Sequence, residues 1–335
     1  MRYLKFLLVI ILALPFLNSC KKDFSVNADW KDITIVYGLL SQDDSIHYLK
    51  ITKAFLGPGN ALTYARIGDS SNYKPGELSV RVDEYDETGH TLRQSFPFDT
   101  ITLHTKEPGD SIFYFPDQLV YKSTAKMNEN YIYKLVVHNN FTGIEITSQT
   151  SLIHSFSINE PDEYTRPVFL PDETSDAKWT SAVGGRRYQL VIRFHYSESP
   201  IDSNKYTQKA IDWLVFTNEL SRTTKGGEDM MKTIAGNSFY AFLANNIKPV
   251  SPNIKRVAGR IDYIFSVASD DLNTYMQVTE PSSSVVQYRP PFSNITNGYG
   301  LFSSRFVNAL DSLRLGDGMV EQIQTNPLTA DLNFR

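Results

Sequence analysis

The sequence predicts a mainly β protein, with an N-terminal β-sandwich followed by a second β-rich domain that carries one or two short helices. Aromatic residues make up 13% of the 335 residues, with 20 Phe and 19 Tyr against 3 Trp. Thr, Ser, Val and Ile are frequent, as is typical of half-buried strands. Short apolar runs alternate with polar residues between turn-forming stretches. After Cys20 the chain has no long amphipathic helix pattern, which favours sheets.

The first twenty-two residues have the pattern of an export signal. A basic start precedes an unbroken apolar run from Phe6 to Phe16, which is shorter than the roughly 20 apolar residues of a membrane-spanning helix. The run closes on Leu17-Asn18-Ser19-Cys20, which resembles the lipobox of bacterial lipoproteins. The resemblance implies that residues 1–19 are a signal peptide and that Cys20 is lipidated. We therefore expect the lipid bilayer to be a partner of the acylated Cys20.

The cysteine count bears on disulfide formation, and the net charge excludes some classes of partner. Cys20 is the only cysteine, so the fold is expected to form without an intramolecular disulfide. Removal of residues 1–19 takes away two of the 33 basic residues and none of the 37 acids, which moves the formal net charge from −4 to −6. Such mild acidity argues against nucleic acid as a partner and against a polybasic membrane patch. Membrane attachment is expected from the lipid alone.

Composition divides the mature chain into a tether, two domains and a linker. Residues 20–31 are polar and lack periodicity, which predicts a lipidated tether. The tether continues Lys-Lys-Asp after the cysteine, and such charged residues resemble the signal that sends Bacteroidetes lipoproteins to the outer face of the outer membrane; a solvated linker is the alternative. We expect outer-membrane localisation, on the periplasmic or the cell-surface face. A stretch rich in proline and acids places the linker at 156–185, between a β-sandwich domain at 32–155 and a β-rich domain at 186–335.

The first domain is predicted as a series of hairpins. Two apolar runs, Ile33 to Leu40 and Ile46 to Phe55, flank five polar turn-formers. An alternating run at 78–82 is followed by the turn 86–89, which ends in a glycine. Residues 57–76 show no sustained pattern and are predicted to form a long surface loop. Further strands are predicted at residues 90–94, 100–104, 111–115, 118–122, 130–138 and 144–152.

The second domain opens on the clearest alternation in the chain, at residues 187–197, with a partner strand at 210–217. A helix is predicted from Asn237 or Ser238 to Ile247, since apolar residues recur there every three or four positions and Pro249 follows. Ser269 is predicted to cap a short helix that reaches Met276. Further strands are predicted at residues 230–234, 259–268 and 301–306.

Patterns of catalytic or metal-binding residues are weak. The six histidines include no His-x-x-x-His or His-Glu-x-x-His spacing. Gly68-Asp69-Ser70 and Gly109-Asp110-Ser111 resemble the opening of the Gly-Asp-Ser hydrolases, but neither lies at a predicted strand-to-helix turn with a later histidine, so both are predicted turns. The acidic turn at 83–87 departs from the calcium-loop spacing. The sequence assigns no catalytic, cofactor-binding or metal residue, and no cofactor is expected.

Tryptophans and glycan acceptors are the remaining candidates for ligand contact or modification. Trp213 is predicted to be in the core, whereas Trp30 and Trp179 fall in the tether and the linker, where exposed rings could stack on sugars. Four Asp-Ser/Thr-apolar triplets exceed the roughly one or two expected by chance and resemble the O-glycan acceptor of exported Bacteroidetes proteins. The predicted O-glycosylation sites are Ser45, Thr100, Ser111 and Ser312.

Two glycine-bearing motifs lie near opposite ends of the mature chain. They are Ile-Val-Tyr-Gly-Leu-Leu-Ser at 35–41 and Pro-Phe-Ser-Asn-Ile-Thr-Asn-Gly-Tyr-Gly-Leu-Phe at 291–302. The glycines on either side of Tyr299 are predicted to adopt positive φ. On these motifs the chain resembles a family of Bacteroidetes outer-membrane lipoproteins that is classed only as a domain of unknown function. Members of that family are often found beside TonB-dependent receptors, which implies such a receptor as a partner and an accessory role in nutrient capture.

The sequence thus predicts a non-enzymatic cell-envelope lipoprotein that binds a ligand or a partner and is accessory to an outer-membrane transporter. The alternative is an envelope enzyme that acts on glycans or peptides, which is motivated by the predicted location and the abundant acids.

Overall fold

The computed structural model describes residues 33–54, 61–105, 117–280 and 291–335. Within them the protein is mainly β, as predicted, with 50% of residues in strands and 15% in helices. The strands are β1 (Ile33–Leu40), β2 (His47–Ala54), β3 (Leu78–Tyr85), β4 (Leu92–Pro97), β5 (Asp99–Leu103), β6 (Gln118–Ser123), β7 (Ile132–Asn139), β8 (Glu145–Ser151), β9 (Ile158–Glu160), β10 (Thr174–Thr180), β11 (Arg187–Pro200), β12 (Thr207–Leu220), β13 (Asp229–Ala235), β14 (Ile254–Ala268) and β15 (Tyr299–Arg314). The α-helices are α1 (Ala61–Ala65), α2 (Gly68–Ser71), α3 (Gly236–Asn246), α4 (Asp270–Thr279) and α5 (Asp317–Thr325).

The strands form three sheets. The largest has the order β12-β11-β14-β15-β1-β2-β6-β5. A four-stranded sheet, β4-β3-β7-β8, lies over its β1–β2–β6 part, and a three-stranded sheet, β13-β10-β9, lies over its β11–β14–β15 part. Only the pair β1–β15 is parallel among the strand pairs of the described residues. That pair joins the N-terminal strands to the C-terminal strands.

Two hydrophobic cores lie on the same side of the large sheet. One contains Val36, Leu49, Tyr133 and Leu135, which come from the large sheet and the four-stranded sheet. The other is rich in aromatic rings and packs β11 and β14 against β10 and α3. Strand β15 contributes to both cores from one face, since Phe302 belongs to the first core and Phe306 to the second. This shared strand makes the large sheet continuous across the chain.

The segment 156–185 is not the linker that the sequence predicts. It contains β9 and β10, and β10 pairs along its whole length with β13. Its Phe169 and Trp179 are buried in the second core. The prolines there do not break the sheet, because Pro161, Pro167 and Pro171 all lie between the two strands. The predicted domains at 32–155 and 186–335 also share the eight-stranded sheet.

The predicted helices are confirmed, and three others were not predicted. Helix α3 matches the prediction, and Ser269 caps α4 by accepting a hydrogen bond from the Leu272 amide at 3.4 Å. Helices α1 and α2 lie in the stretch predicted as a loop, and α5 follows β15. In the described part of the chain, no helix has both the length and the hydrophobicity needed to cross a membrane.

Candidate functional site

The parallel pair β1–β15 brings together the two glycine-bearing motifs of the sequence. Ile35 lies opposite Tyr299, and Gly38 lies opposite Phe302. The motifs are more than half the chain apart in sequence, yet they are neighbouring strands in the structure. A resemblance carried by two distant motifs therefore corresponds here to one local structure.

Glycines make this close pairing possible. Gly300 has φ +116°, and a Cβ at this position would overlap the carbonyl oxygen of Val36. The prediction of positive φ is thus confirmed for Gly300. It is wrong for Gly298, whose backbone has no positive φ; a Cβ there would lie 2.8 Å from the carbonyl oxygen of Thr34. Gly298 is needed for close approach and Gly300 for both approach and conformation.

Asn294 holds the second motif in place. Its side-chain oxygen accepts a hydrogen bond from the Phe302 amide at 3.0 Å, and its Nδ2 donates to the Phe302 carbonyl at 2.8 Å. The same Nδ2 donates to Asp271 of α4 at 2.8 Å, and the Asn294 carbonyl accepts from the Ser148 hydroxyl at 2.7 Å. The start of β15 is therefore fixed to α4 and to β8 of the four-stranded sheet.

Tyrosines cover the outer side of this junction. We define the tyrosine face as Tyr37, Tyr48, Tyr275 and Tyr299. Val36 and Leu49 point into the core, so their neighbours Tyr37 and Tyr48 point outward. Tyr37, Tyr48 and Tyr299 are 43%, 42% and 53% exposed, although large aromatic side chains are costly to leave in water. The half-buried Tyr275 reaches the face from α4.

Tyr37 and Tyr275 form a fixed pair. Their ring centroids are 6.0 Å apart in an edge-to-face arrangement, and the Tyr275 hydroxyl donates to the Tyr37 hydroxyl at 3.3 Å. The hydrogen bond with Tyr275, then partial burial and then the nearby charge of Tyr275 raise the pKa of Tyr37 to about 12. Tyr37 therefore stays neutral at physiological pH and offers a hydroxyl group rather than a charge.

Lysines lie beside these rings on the same side of the sheet. Lys50 is opposite Tyr37, and Lys122 is opposite Tyr48. The Lys50 Nζ donates to the Leu119 carbonyl at 3.2 Å. Aromatic rings with polar tips beside cationic groups suit recognition of a protein surface or a sugar, since Tyr combines apolar contact area with a hydrogen-bonding group.

Comparison with known proteins adds no family to this geometry. No protein-family model matches the chain, and no curated protein matches it.

The predicted modification sites lie apart from one another. Ser45 is exposed in the turn between β1 and β2, Thr100 is half-buried in β5, and Ser312 is exposed in β15. Ser111 lies outside the described residues, as does Cys20. O-glycosylation and lipidation stay predictions.

The tryptophan predictions have mixed outcomes. Trp213 is buried, as predicted, at 9% exposure. The prediction of an exposed Trp179 is wrong: its ring is 1% exposed and stacks on Phe216 with centroids 5.5 Å apart. Trp179 is thus unable to present its ring to a sugar. Trp30 lies outside the described residues.

The acidic stretch 83–87, predicted as a turn, spans the end of β3 and the turn after it, and its carboxylates form hydrogen bonds within the fold. Asp83 accepts from the Ser95 hydroxyl at 2.6 Å, and the buried Glu84 accepts from the Tyr133 hydroxyl at 2.9 Å. Asp86 accepts from Thr88 and from two backbone amides of the turn, and the hydrogen bond from Thr88 is the main cause that holds its pKa well below the usual range. In the described ranges, no three His, Cys, Asp or Glu residues form a group that could hold a metal ion.

A polar cluster occupies the outer side of the other half of the large sheet. His195 Nε2 lies 2.6 Å from Asp262 Oδ2, and the Ser312 amide donates to Asp262 Oδ1 at 2.7 Å. Arg193 forms two hydrogen bonds with Asp212, which together with the charge of Arg193 hold the pKa of Asp212 below its usual range. Among the described residues, no hydroxyl group forms a hydrogen bond with the His195 side chain.

The tyrosine face was not predicted from sequence, although a signal exists. In β1 the outward positions are Ile33, Ile35, Tyr37 and Leu39, while the alternate positions are also mostly apolar. A strand that is apolar on both faces needs a cover on both faces. Among the described residues, α4 packs on β15 and its Tyr275 contacts Tyr37, while Tyr37, Tyr48 and Tyr299 stay partly exposed.

Proposed function

We propose that this protein is a non-enzymatic cell-envelope lipoprotein, anchored in the outer membrane through acylated Cys20, that binds a partner through the tyrosine face. The proposed partner is an outer-membrane transporter of the TonB-dependent receptor type, to which the protein is accessory. The observation that carries the proposal is the tyrosine face, whose three exposed rings stand on adjacent strands of a rigid sheet. Exposed apolar area rimmed by polar groups is typical of interaction sites.

The position of the face supports a docking role. It lies where the first and last of the described strands pair, and Asn294 and Gly300 fix the backbone beneath it. A surface that is ordered before binding loses little conformational entropy in the complex. Tyr is also among the residue types that dominate binding energy at interfaces.

Removal of two of the exposed rings should abolish partner capture. We expect Tyr37→Ala/Tyr299→Ala to reduce recovery of the receptor at least tenfold, since truncation of a tyrosine at an interface hot spot costs about 2 kcal/mol or more. The measurement is affinity capture of the native lipoprotein from detergent-solubilised outer membrane, with quantification of a TonB-dependent receptor at one-to-one stoichiometry. Both side chains are partly exposed, so the variant should still fold.

Tyr206→Ala is the matched control, because Tyr206 is 45% exposed and lies next to β12, outside the tyrosine face. It should recover the receptor like the unaltered protein. Recovery of no stoichiometric receptor by the unaltered protein would overturn the proposed partner, and equal recovery by all three proteins would overturn the assigned surface.

Loss of the acyl anchor should release the protein from membranes. We expect Cys20→Ser to move the protein from the membrane fraction to the soluble fraction, since several acyl chains each contribute about 0.8 kcal/mol per buried methylene. The measurement is fractionation combined with the intact mass of the mature chain. Ser25→Ala, a change in the predicted tether, serves as the control and should remain in the membrane fraction. A Cys20→Ser protein that stays fully bound would contradict the anchor.

A further inference from the structure

A recess lies at the C-terminal end of β15, away from the tyrosine face. Its cavity volume is about 340 Å³, and it opens between the loop 163–166, Arg260 in the middle of β14 and the last residues of β15. This volume falls within the roughly 300 to 1,000 Å³ of small-molecule sites. We refer to it as the arginine pocket, because Arg166, Arg260 and Arg314 line it.

The β15 wall of the pocket is shaped by a bulge. The register between β14 and β15 shifts between Ile261 and Tyr263, and Ser312 has φ +63°. Asp262 accepts a hydrogen bond from the Ser312 amide at 2.7 Å, and Arg260 Nη1 donates to the Ser312 carbonyl at 2.7 Å. Bulges re-aim side chains and are frequent beside binding sites. This bulge is fixed by hydrogen bonds to both the amide and the carbonyl of Ser312.

The opposite wall is held as firmly. Asp162 Oδ1 accepts hydrogen bonds from the Tyr164 amide and from the amide and hydroxyl of Thr165. The Gly316 amide donates to the Pro167 carbonyl at 3.1 Å, which ties this loop to the residues after β15. Both walls are therefore formed before any ligand binds.

The charges of the pocket are positive and available. The side chains of Arg166 and Arg314 make no hydrogen bond or ion pair with any other residue in the described part of the chain. Against the three arginines stand two acids, Glu163 and Asp311. The Glu163 side chain forms a hydrogen bond with the Tyr164 side chain, and this bond raises the pKa of Tyr164. Two unpartnered guanidinium groups in one recess are suited to bidentate binding of carboxylate or phosphate.

The other residues that line the pocket suit an uncharged organic group attached to that anion. Tyr164 is 84% exposed at the pocket, the half-buried Leu310 supplies apolar surface, and Thr165 and Ser312 supply hydroxyl groups. We infer that the arginine pocket binds a monosaccharide-sized organic molecule that carries one carboxylate or phosphate group. This site is separate from the tyrosine face and does not depend on the proposed partner.

Titration calorimetry with three sugars of the same ring size tests this inference. The probes are glucuronate, glucose 6-phosphate and glucose, with inorganic phosphate as a fourth. At least one of the two anionic sugars should bind at least tenfold more tightly than glucose and than inorganic phosphate, and the preferred one identifies the oxyanion. Equal binding of glucose would overturn the need for an anion, and equal binding of inorganic phosphate would overturn the need for an organic body.

Variants assign the binding to this pocket. Arg166→Gln/Arg314→Gln should weaken binding of the preferred anionic sugar at least tenfold, with an unchanged thermal unfolding midpoint because both side chains are exposed and unpartnered within the described residues. Arg66→Gln is the matched control, since Arg66 is also exposed and unpartnered there but does not line the pocket. Full affinity in the double variant, or an equal loss in Arg66→Gln, would overturn the assignment.

Discussion

Replacement of Gly300 with alanine should destabilise the protein by more than about 3 kcal/mol, because the substitution combines two penalties. The backbone at Gly300 has φ +116°, which alanine adopts only with strain, and the new Cβ would overlap the carbonyl oxygen of Val36. Relief of that overlap requires β1 and β15 to separate, and this pair holds the two halves of the large sheet together. The measurement is denaturant unfolding of the Cys20→Ser chain, followed by far-UV circular dichroism.

A second glycine with positive φ but open surroundings serves as a control, because its replacement with alanine adds backbone strain without steric overlap. Gly143, in the turn between β7 and β8, has φ +70°, and a Cβ at this position would meet no atom of a non-adjacent residue within 4 Å. Gly143→Ala should therefore cost only about 1 kcal/mol. A Gly300→Ala protein that unfolds at the same denaturant concentration as Gly143→Ala would show that the β1–β15 contact does not limit stability. Tyr37 and Tyr299 lie on the two affected strands, so Gly300→Ala should also lower receptor capture.

Local patterns were sufficient to predict most strands and two helices: periods of 2 and 3.6 residues indicated the strands and α3, because such periods arise from which residues each element buries, and the capping residue Ser269 indicated α4. It failed where few residues of an element face the core. In β10 only Ala177 and Trp179 are buried, and the surrounding acids and prolines outweighed that signal. In α5 only Met319 and Ile323 are buried, four residues apart and beside two glycines.

Pairing between distant segments is the part of the fold that could not be predicted from the sequence. Neither β1, which is apolar on both faces, nor β15 contains a residue pattern that identifies the other as its parallel neighbour. This pairing places Tyr299 beside Tyr37 and Tyr48 of the β1–β2 hairpin, and it makes the large sheet continuous. The same reason applies to Arg256, whose sequence neighbours Lys255 and Val257 do not indicate a buried charge.

Arg256 links three distant parts of the chain through one guanidinium group. Its side chain is 3% exposed and forms an ion pair with Glu198 of β11 at 2.8 Å. Its Nη1 donates to the Leu332 carbonyl near the C-terminus at 2.8 Å, and its Nη2 donates to the Lys248 carbonyl after α3 at 2.9 Å. These contacts satisfy a buried charge and two backbone carbonyl groups at once.

Arg256→Met should therefore lower the free energy of unfolding by about 3 to 5 kcal/mol, the usual cost of breaking a buried ion pair by removing one partner. Methionine fills similar space but leaves the Glu198 carboxylate and both carbonyl groups without this donor. Arg193→Met is the matched control: Arg193 also pairs with a carboxylate, Asp212, but its side chain is 42% exposed, so the cost should stay below about 1 kcal/mol. Equal losses in the two variants would contradict a special role for Arg256.

The same ion pair predicts how this difference depends on pH. Burial opposes ionisation of Glu198, but hydrogen bonds from Lys209 and Arg256 outweigh it and hold the pKa of this carboxyl below its usual value. The unfolded pKa of a Glu carboxyl is about 4.3. A carboxyl whose pKa is lowered by folding contributes stability at pH values above its unfolded pKa and loses that contribution as the pH falls through the folded pKa. The gap in unfolding free energy between the unaltered protein and Arg256→Met should therefore narrow on acidification below about pH 4. A gap that is constant from neutral pH to pH values below the folded pKa would assign the loss to packing rather than to the Glu198 charge.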